Sequence, residues 1–274
     1  MARLSVTVIT KNEEGDLAAA LESVRWADEI VVVDCGSTDR TLEIARRYTD
    51  RVFVEPWQGF VAQKNLAASM TAHDWVLSLD ADERVTPELA ASIRAVLENP
   101  AHTAYRCSRV TWHLGQWIRS TDWYPDHQVR LYDKRNAGWS GRHVHEALVA
   151  RGPVGTLTGE LQHYAYRDIA DHLETIDRYT TLAAKQMHEQ GRRVGLLQIA
   201  VHPALAFTRN YVLRGGFRDG RTGFIISTMN AYYVFLKFAK TWELSKREAA
   251  LSPGAQSAAN EADTRVDARS SRSA

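Results

Sequence analysis

Between residues 4 and 97 the chain repeats one pattern: a short, almost wholly apolar run, a polar stretch, then apolar positions at helical spacing. Residues 4–9 form a β-branched apolar run closed by Thr10, Lys11, Asn12, Glu13 and Glu14, after which Leu17, Ala20, Leu21 and Val24 share one helix face. Residues 29–33 are a second run ending at Asp34, Cys35 to Ser37 form a turn, and Thr38 and Asp39 cap a helix expected to reach Tyr48. A third strand is predicted at 51–54, a helix at 59–70, and a fourth strand at 75–79 that ends in Asp80, Ala81, Asp82 and Glu83. Pro87 then opens a helix through Leu97, with proline at its tolerated first position and Glu88 in the first turn. Nearly apolar strands alternating with helices predict an α/β fold with a mainly parallel central sheet covered on both faces. Ligands of such sheets bind beyond the carboxyl ends of the strands, where Thr10, Asp34 and residues 80–83 fall.

The pattern changes after residue 104. Short strands are predicted at 105–111, 128–132, 147–149 and 161–166, separated by loops rich in Trp, Gly, Pro and His. From 169 onward the periodicity is helical, over 169–190, 196–214 and 223–243, and there is no internal repeat. Residues 252–274, rich in Ala, Ser, Arg and Asp and nearly free of large apolar side chains, predict a disordered tail.

Composition narrows the class without choosing a function. The 274 residues are 45% hydrophobic and 24% charged, an ordinary globular balance. The mean hydropathy of −0.35, and apolar runs broken by His202, Pro203, Arg209, Asn210, Asn230 and Lys237, leave no window apolar enough to span a bilayer. The chain enters its first strand without a leader-like segment and contains two cysteines, Cys35 and Cys107, which together predict a cytoplasmic protein. A net charge of +1 argues against a nucleic-acid binder that works through a global positive field. The charge is unevenly spread, however: between residues 185 and 248, 11 cations face 4 acids. That segment carries +7 and residues 1–184 carry −6, a split that calls for a partner of its own on each side.

Three constellations carry candidate chemistry. Asp80 and Asp82, two apart where a strand leaves the sheet, can turn towards one hard cation such as Mg²⁺ or Mn²⁺, although they also suit a solvated acidic turn. Asp34 is either a turn and cap acid or an acceptor for an N–H of a bound base. His143 and His145 point the same way on an extended segment, with Glu146 next in line, and His163 closes another strand; each suits a metal or a hydrogen-bonded interior. A metallohydrolase built on His143, His145 and Asp82 is one reading, and a non-catalytic binding module is another.

The series Thr10 to Glu14, Val33 to Asp39, Gln63 to Asn65 and Asp80 to Asp82 resembles the inverting family 2 glycosyltransferases of the GT-A fold. Residues 123–126 (Trp, Tyr, Pro, Asp), 128–132, 144–146, 163–164 and 217–220 are similar, more narrowly, to bacterial lipopolysaccharide-core β-glucosyltransferases. The resemblance covers about residues 3 to 245 and implies a GT-A catalytic domain over 1–168 with a helical extension over 169–248 before the tail at 249–274. It further implies that Thr10, Glu13, Asp34, Lys64, Asp80 and Arg130 bind a nucleotide sugar such as UDP-glucose, with Arg130 as a fixed diphosphate contact. Asp82, with Asp80 and His163, would hold a divalent metal that neutralises the diphosphate leaving group. Glu146 would be the base for a single inverting displacement, with Asp126 as its rival, and Trp123, Asp126 and His145 would receive the acceptor. That acceptor is expected to be a lipid-linked saccharide, a heptose of the lipopolysaccharide inner core, with another saccharide or polyprenyl phosphate as the alternative. The aromatic and basic helices after residue 185 either pack on protein or rest on the anionic inner face of the cytoplasmic membrane as a peripheral surface.

Overall fold

The computed structural model describes residues 2–141 and 146–251. They form two compact units, divided between Arg167 and Asp168.

The first unit is built on one sheet. Strand β1 (Leu4–Thr10) lies at its heart, with β2 (Glu29–Asp34) parallel on one side and β4 (Trp75–Asp80) parallel on the other. Register places Thr10 opposite Asp34 and Ile9 opposite Asp80, so the polar residues that close these strands arrive level at one edge. Beyond β2 lies β3 (Val52–Val54), also parallel. The apolar strands are buried against α1 (Leu17–Ser23), α2 (Thr41–Ala45), α3 (Phe60–Ser69) and α4 (Pro87–Glu98), as the alternation predicted. Helix α4 begins as expected, with Pro87 in its first turn and the Thr86 hydroxyl accepting from the Leu89 N–H. Helix α2 stops at Ala45, and tight turns rather than further helix carry the chain to Thr49.

Past β4 the sheet becomes mixed. Strands β8 (Asp126–Asp133) and β6 (Ala104–His113) follow in antiparallel order, β11 (Val154–His163) runs parallel to β6, and β5 (Glu83–Val85) pairs antiparallel with β11. Strand β7 (Gln116–Ile118) forms a hairpin with β6, while β9 (Ala137–Ser140) and β10 (Ala147–Ala150) make a separate ribbon. The last long strand starts at Val154, well before the expected 161, because Gly159 breaks the apolar alternation that signals a strand. Gly159 sits at φ +85°, and any Cβ there would fall on the backbone of Leu89 in α4, so glycine at this bulge lets the helix pack close to β11.

One topological fact shapes the site. In hydrogen-bonding order three strands, β8, β6 and β11, separate β4 from β5, yet in sequence only Ala81 and Asp82 lie between them. A flat sheet would hold β4 and β5 about 19 Å apart, at about 4.8 Å per strand. Three Cα steps from Asp80 to Glu83 reach no more than about 11 Å. The sheet must therefore curl, and its concave end gathers side chains from β4, β5, β6, β8 and β11.

The second unit consists of α5 (Ile169–Glu189), capped by the Asp168 carboxylate accepting from the Asp171 N–H at 2.9 Å, then α6 (Leu196–Thr208) and α7 (Gly220–Leu251). A single wide turn, Arg209–Leu213, continues α6. Lys240 ties α7 to α5 through Asp177 Oδ1 at 2.7 Å and Thr180 Oγ1 at 2.9 Å. Among the described residues no helix is long and apolar enough to cross a membrane. Residues 252–274, expected to be a disordered tail, lie outside the described ones.

Candidate active site

At the aligned ends of β1 and β2 the backbone makes its own cradle. The fully buried Asp34 carboxylate accepts from the Gly36 N–H at 2.9 Å and the Ser37 N–H at 2.8 Å, and from the Ser37 hydroxyl. Gly36 takes φ +84°, the left-handed conformation this turn needs. The turn role weighed for Asp34 is thus filled; its carboxylate faces its own loop. Asn12 stitches the loop after β1 to the loop after β2, donating its N–H to Ser37 Oγ at 2.8 Å and accepting from the Thr38 N–H at 2.8 Å. Thr10 is buried and its hydroxyl has no hydrogen-bond partner. Glu13, half-buried, is pushed up to about 7, first by burial and then by the neighbouring carboxylates of Asp82, Asp16 and Asp39.

The centre of the site is a chain of alternating charges. Lys64, on α3, reaches Asp80 Oδ1 at 2.9 Å, and Arg130, on β8, reaches Asp80 Oδ2 at 2.6 Å. The same Arg130 nitrogen donates to Glu83 Oε1 at 2.5 Å, and Arg109, on β6, donates to it at 3.1 Å. Arg109 continues to Asp126 Oδ2 at 2.8 Å, and Gln128 donates to Asp126 Oδ1 at 2.7 Å. Glu83 also accepts the Asp80 N–H at 3.0 Å, which locks the turn between β4 and β5. Burial alone would raise the Asp80 pKa, but the Arg130 and Lys64 cations hold it well below the usual carboxylate range. Burial likewise opposes the Arg130 charge, and Asp80 and Glu83 override it, so the guanidinium stays protonated.

Three cations therefore match three carboxylates, and Asp82 stands outside the balance. Its Oδ2 lies 3.2 Å from His163 Nε2, and the ring's Nδ1 is 3.5 Å from the Thr111 hydroxyl. The Tyr164 N–H donates to the Asp82 carbonyl at 2.9 Å and fixes that pairing. Asp82 and His163 thus supply one carboxylate oxygen and one imidazole nitrogen, both partly exposed, a donor pair suited to Mn²⁺ or Mg²⁺ with substrate oxygens and water completing the shell. No group of three or more His, Cys, Asp and Glu that could hold a metal occurs among the described residues, so a cation here would depend on its ligand's oxygens. Asp80, also expected to touch metal, has both oxygens committed to cations.

Within the charge chain, and on α3 next to Lys64 in sequence, are donors awaiting an acceptor. Arg130 Nε and Gln63 Nε2 are buried without a hydrogen-bond partner, whereas the Trp139 indole N–H faces the Tyr132 hydroxyl. The Lys64 ammonium sits over the Trp139 ring at 4.4 Å and the Arg130 guanidinium at 6.0 Å. A polyanion rich in oxygens would satisfy such donors, whereas an apolar ligand would leave them costly. Arg130 was expected as a diphosphate contact; its Nη2 is spent on Asp80 and Glu83, which leaves Nε as the orphan.

The remaining expected residues are placed less completely. Glu146 is half-buried just before β10, whose partner strand β9 carries Trp139. His143 and His145 lie outside the described residues. Trp123, in a short helical turn before β8, packs 5.7 Å from His113 and 5.6 Å from Tyr166, ring centre to ring centre. Sequence reading did not assign Arg109 or Trp139, and it noted Glu83 only as a further carboxylate that left open which acids touch the metal. The two that complete the charge chain, Glu83 and Arg109, share their strands with other cations, Arg84 in β5 and Arg106 in β6, so charge in a strand did not single them out.

A model of glycosyl transferase family 2 matches residues 5–157. A lipopolysaccharide core biosynthesis glycosyltransferase of Rhizobium meliloti, LpsC, is 31% identical over 88% of this chain and 92% of its own length. A glycosyltransferase of Rickettsia typhi is 32% identical over 89% of this chain and 88% of its own. Among solved structures, a mannosyltransferase of Pyrobaculum calidifontis in complex with GDP-Man and Mn²⁺ superposes with a TM-score of 0.54 at 16% identity, over 88% of this chain and 87% of that one.

Proposed function

Because the chain belongs to glycosyltransferase family 2 and is a nucleotide-sugar-dependent transferase of the GT-A fold, we propose that it moves glucose from UDP-glucose onto a heptose of the lipopolysaccharide inner core. In this reading the linkage is β and forms by inversion. The observation that carries the site chemistry is the Asp82–His163 pair at 3.2 Å beside a charge network that is otherwise closed. The lipopolysaccharide acceptor is supported by likeness to LpsC over nearly the whole chain. A divalent metal is supported by the bound Mn²⁺ of the Pyrobaculum fold relative.

Asp82 and His163 would hold the cation, which when bound would neutralise the diphosphate as it leaves. The chain's own groups do the rest. Lys64, with the unpartnered donors of Arg130 and Gln63, receives the anionic donor, and Thr10 offers a free hydroxyl at the nucleoside end. Glu146 takes the proton from the acceptor hydroxyl as that oxygen attacks the anomeric carbon and the sugar–phosphate bond breaks. Asp126 is the poorer base because Arg109 and Gln128 already engage both of its oxygens. The acceptor is lipid-linked and is met at the inner face of the cytoplasmic membrane, where the protein is peripheral. The test is Glu146→Gln, assayed by mass-spectrometric detection of glycosylated core acceptor alongside calorimetric UDP-glucose binding. Donor binding is expected to survive and transfer to fall by at least about a hundredfold; unchanged transfer would remove Glu146 from the mechanism.

A further inference from the structure

Helix α6 is predominantly apolar, interrupted by Gln198, His202 and Thr208, yet contains no buried residue. Leu196, Leu197 and Leu205 are 80%, 72% and 60% exposed, and Leu213 in the turn that follows is 77% exposed. The helix rests on α7 only through part of its surface, as in the His202–Phe238 contact at 4.9 Å and the Phe207–Phe224 contact at 5.7 Å. Leaving so many leucines in water is costly, and a surface of this kind marks an interaction site.

Charge selects the occupant. From residue 189 to residue 219 five arginines, Arg192, Arg193, Arg209, Arg214 and Arg218, stand against two acids, Glu189 and Asp219, at the ends of the segment. Immediately before α6, a cavity of about 810 Å³ is lined by Arg192, Arg193, Val194, Trp242, Lys246 and His188. Glu248 also lines it, but faces His188 Nε2 at 3.2 Å. A symmetric contact with a second copy would set five arginines of each chain against one another with only Glu189 and Asp219 beside them. An anionic bilayer meets both needs, taking leucines into its apolar boundary and cations at its phosphates. At 13 residues the helix is about 20 Å long, and about 27 Å with the five-residue wide turn that continues it, short of a hydrocarbon core of about 30 Å, which suits a helix lying in the surface plane.

We propose that α6 and the turn after it insert into the face of an anionic bilayer, and that the Arg192–Arg193–Lys246 cavity holds the phosphate of a membrane lipid. This deepens the reading above, on which it rests for the lipid-linked acceptor. The test floats the full chain with vesicles of phosphatidylcholine alone or enriched in phosphatidylglycerol. Flotation is expected only with the anionic lipid. Leu197→Asp with Leu205→Asp is expected to lower partitioning at least about a hundredfold, and Arg192→Gln, Arg193→Gln and Lys246→Gln together by about a hundredfold. All of these side chains are exposed or line an open cavity, and circular-dichroism melts are the check that the variants fold. The proposal is overturned if the leucine variant floats like the wild type, if inorganic phosphate competes the protein off entirely, or if the wild type is a dimer in solution that ignores vesicles and the leucine variant makes monomeric. Transfer to a delipidated core oligosaccharide separates the two claims. A leucine variant that keeps this transfer but loses vesicle-bound acceptor supports insertion, whereas wild type inactive on every core acceptor refutes the acceptor reading and leaves the flotation result standing.

Discussion

Glu83→Gln tests whether the alternating charge chain holds the metal-side turn in place. Glu83 is completely buried and accepts from Arg130, Arg109 and the Asp80 N–H. The amide keeps the shape but removes a charge, so three buried or part-buried cations then face two carboxylates. Breaking a buried pair outright costs about 3–5 kcal/mol; here Arg130 retains Asp80 and Arg109 retains Asp126, so about 2–3 kcal/mol is expected. In a unit of this size each kcal/mol moves Tm by about 2–4 °C, which gives a fall of about 5–10 °C. Differential scanning calorimetry reads this directly, with Glu43→Gln as the control. Glu43 is 55% exposed and pairs only on the surface with Arg40 and Arg47, so its loss should shift Tm by about 1 °C or less. Adding Arg109→Met to Glu83→Gln restores two cations against two carboxylates among Lys64, Arg130, Asp80 and Asp126. The double variant should then be less destabilised than the sum of the singles by at least about 1 kcal/mol. A Glu83→Gln melt within the control's range, or strict additivity of the pair, would refute charge balance as the organising force.

Two further outcomes follow from the same geometry. Chelation with EDTA should abolish UDP-glucose transfer, and Asp82→Asn or His163→Gln should weaken Mn²⁺-supported donor binding by about tenfold or more in calorimetry; equal affinity with and without metal would exclude the pair. Glu13, held at about 7 in the fold against 4.5 in an exposed chain, binds more protons folded than unfolded between those values, so its contribution destabilises progressively as pH rises from 4.5 to 7. Glu13→Gln should therefore melt higher than the wild type at pH 8 and converge with it near pH 5; a pH-independent difference would contradict the raised value.

The part of the site that could be read from sequence is the part built by local order. Thr10, Asp34 and Asp80 each close an apolar strand, and in a parallel sheet consecutive strands put their carboxyl ends on one side whatever their neighbours do. His163 was legible for a similar reason, as a lone histidine ending a strand, though its meeting with Asp82 was not. Glu83 and Arg109 were opaque because their meaning is non-local: Glu83 is three residues from Asp80 in sequence, but its partners come from β6 and β8, 26 and 47 residues away. The long β11 was foreshortened in the reading because Gly155, Thr156, Thr158 and Gly159 carry no apolar alternation, and only the pairing of 154–156 and 160–163 with β6, on either side of the bulge, makes one strand of them.

The sequence by itself determined the alternation of strand and helix, the acidic first part and basic second part, and the set of polar residues presented at strand ends, since periodicity and charge are properties of the chain. Tertiary structure decided which of those residues are free to act. Six neighbouring charges were available, and the curl of the sheet, forced by a two-residue link between β4 and β5, closed Asp80, Glu83 and Asp126 onto Lys64, Arg130 and Arg109. That closure leaves Asp82 with His163. It also decided that the most apolar helix, α6, has no residue in the interior, because burial depends on what a helix packs against and not on its own composition.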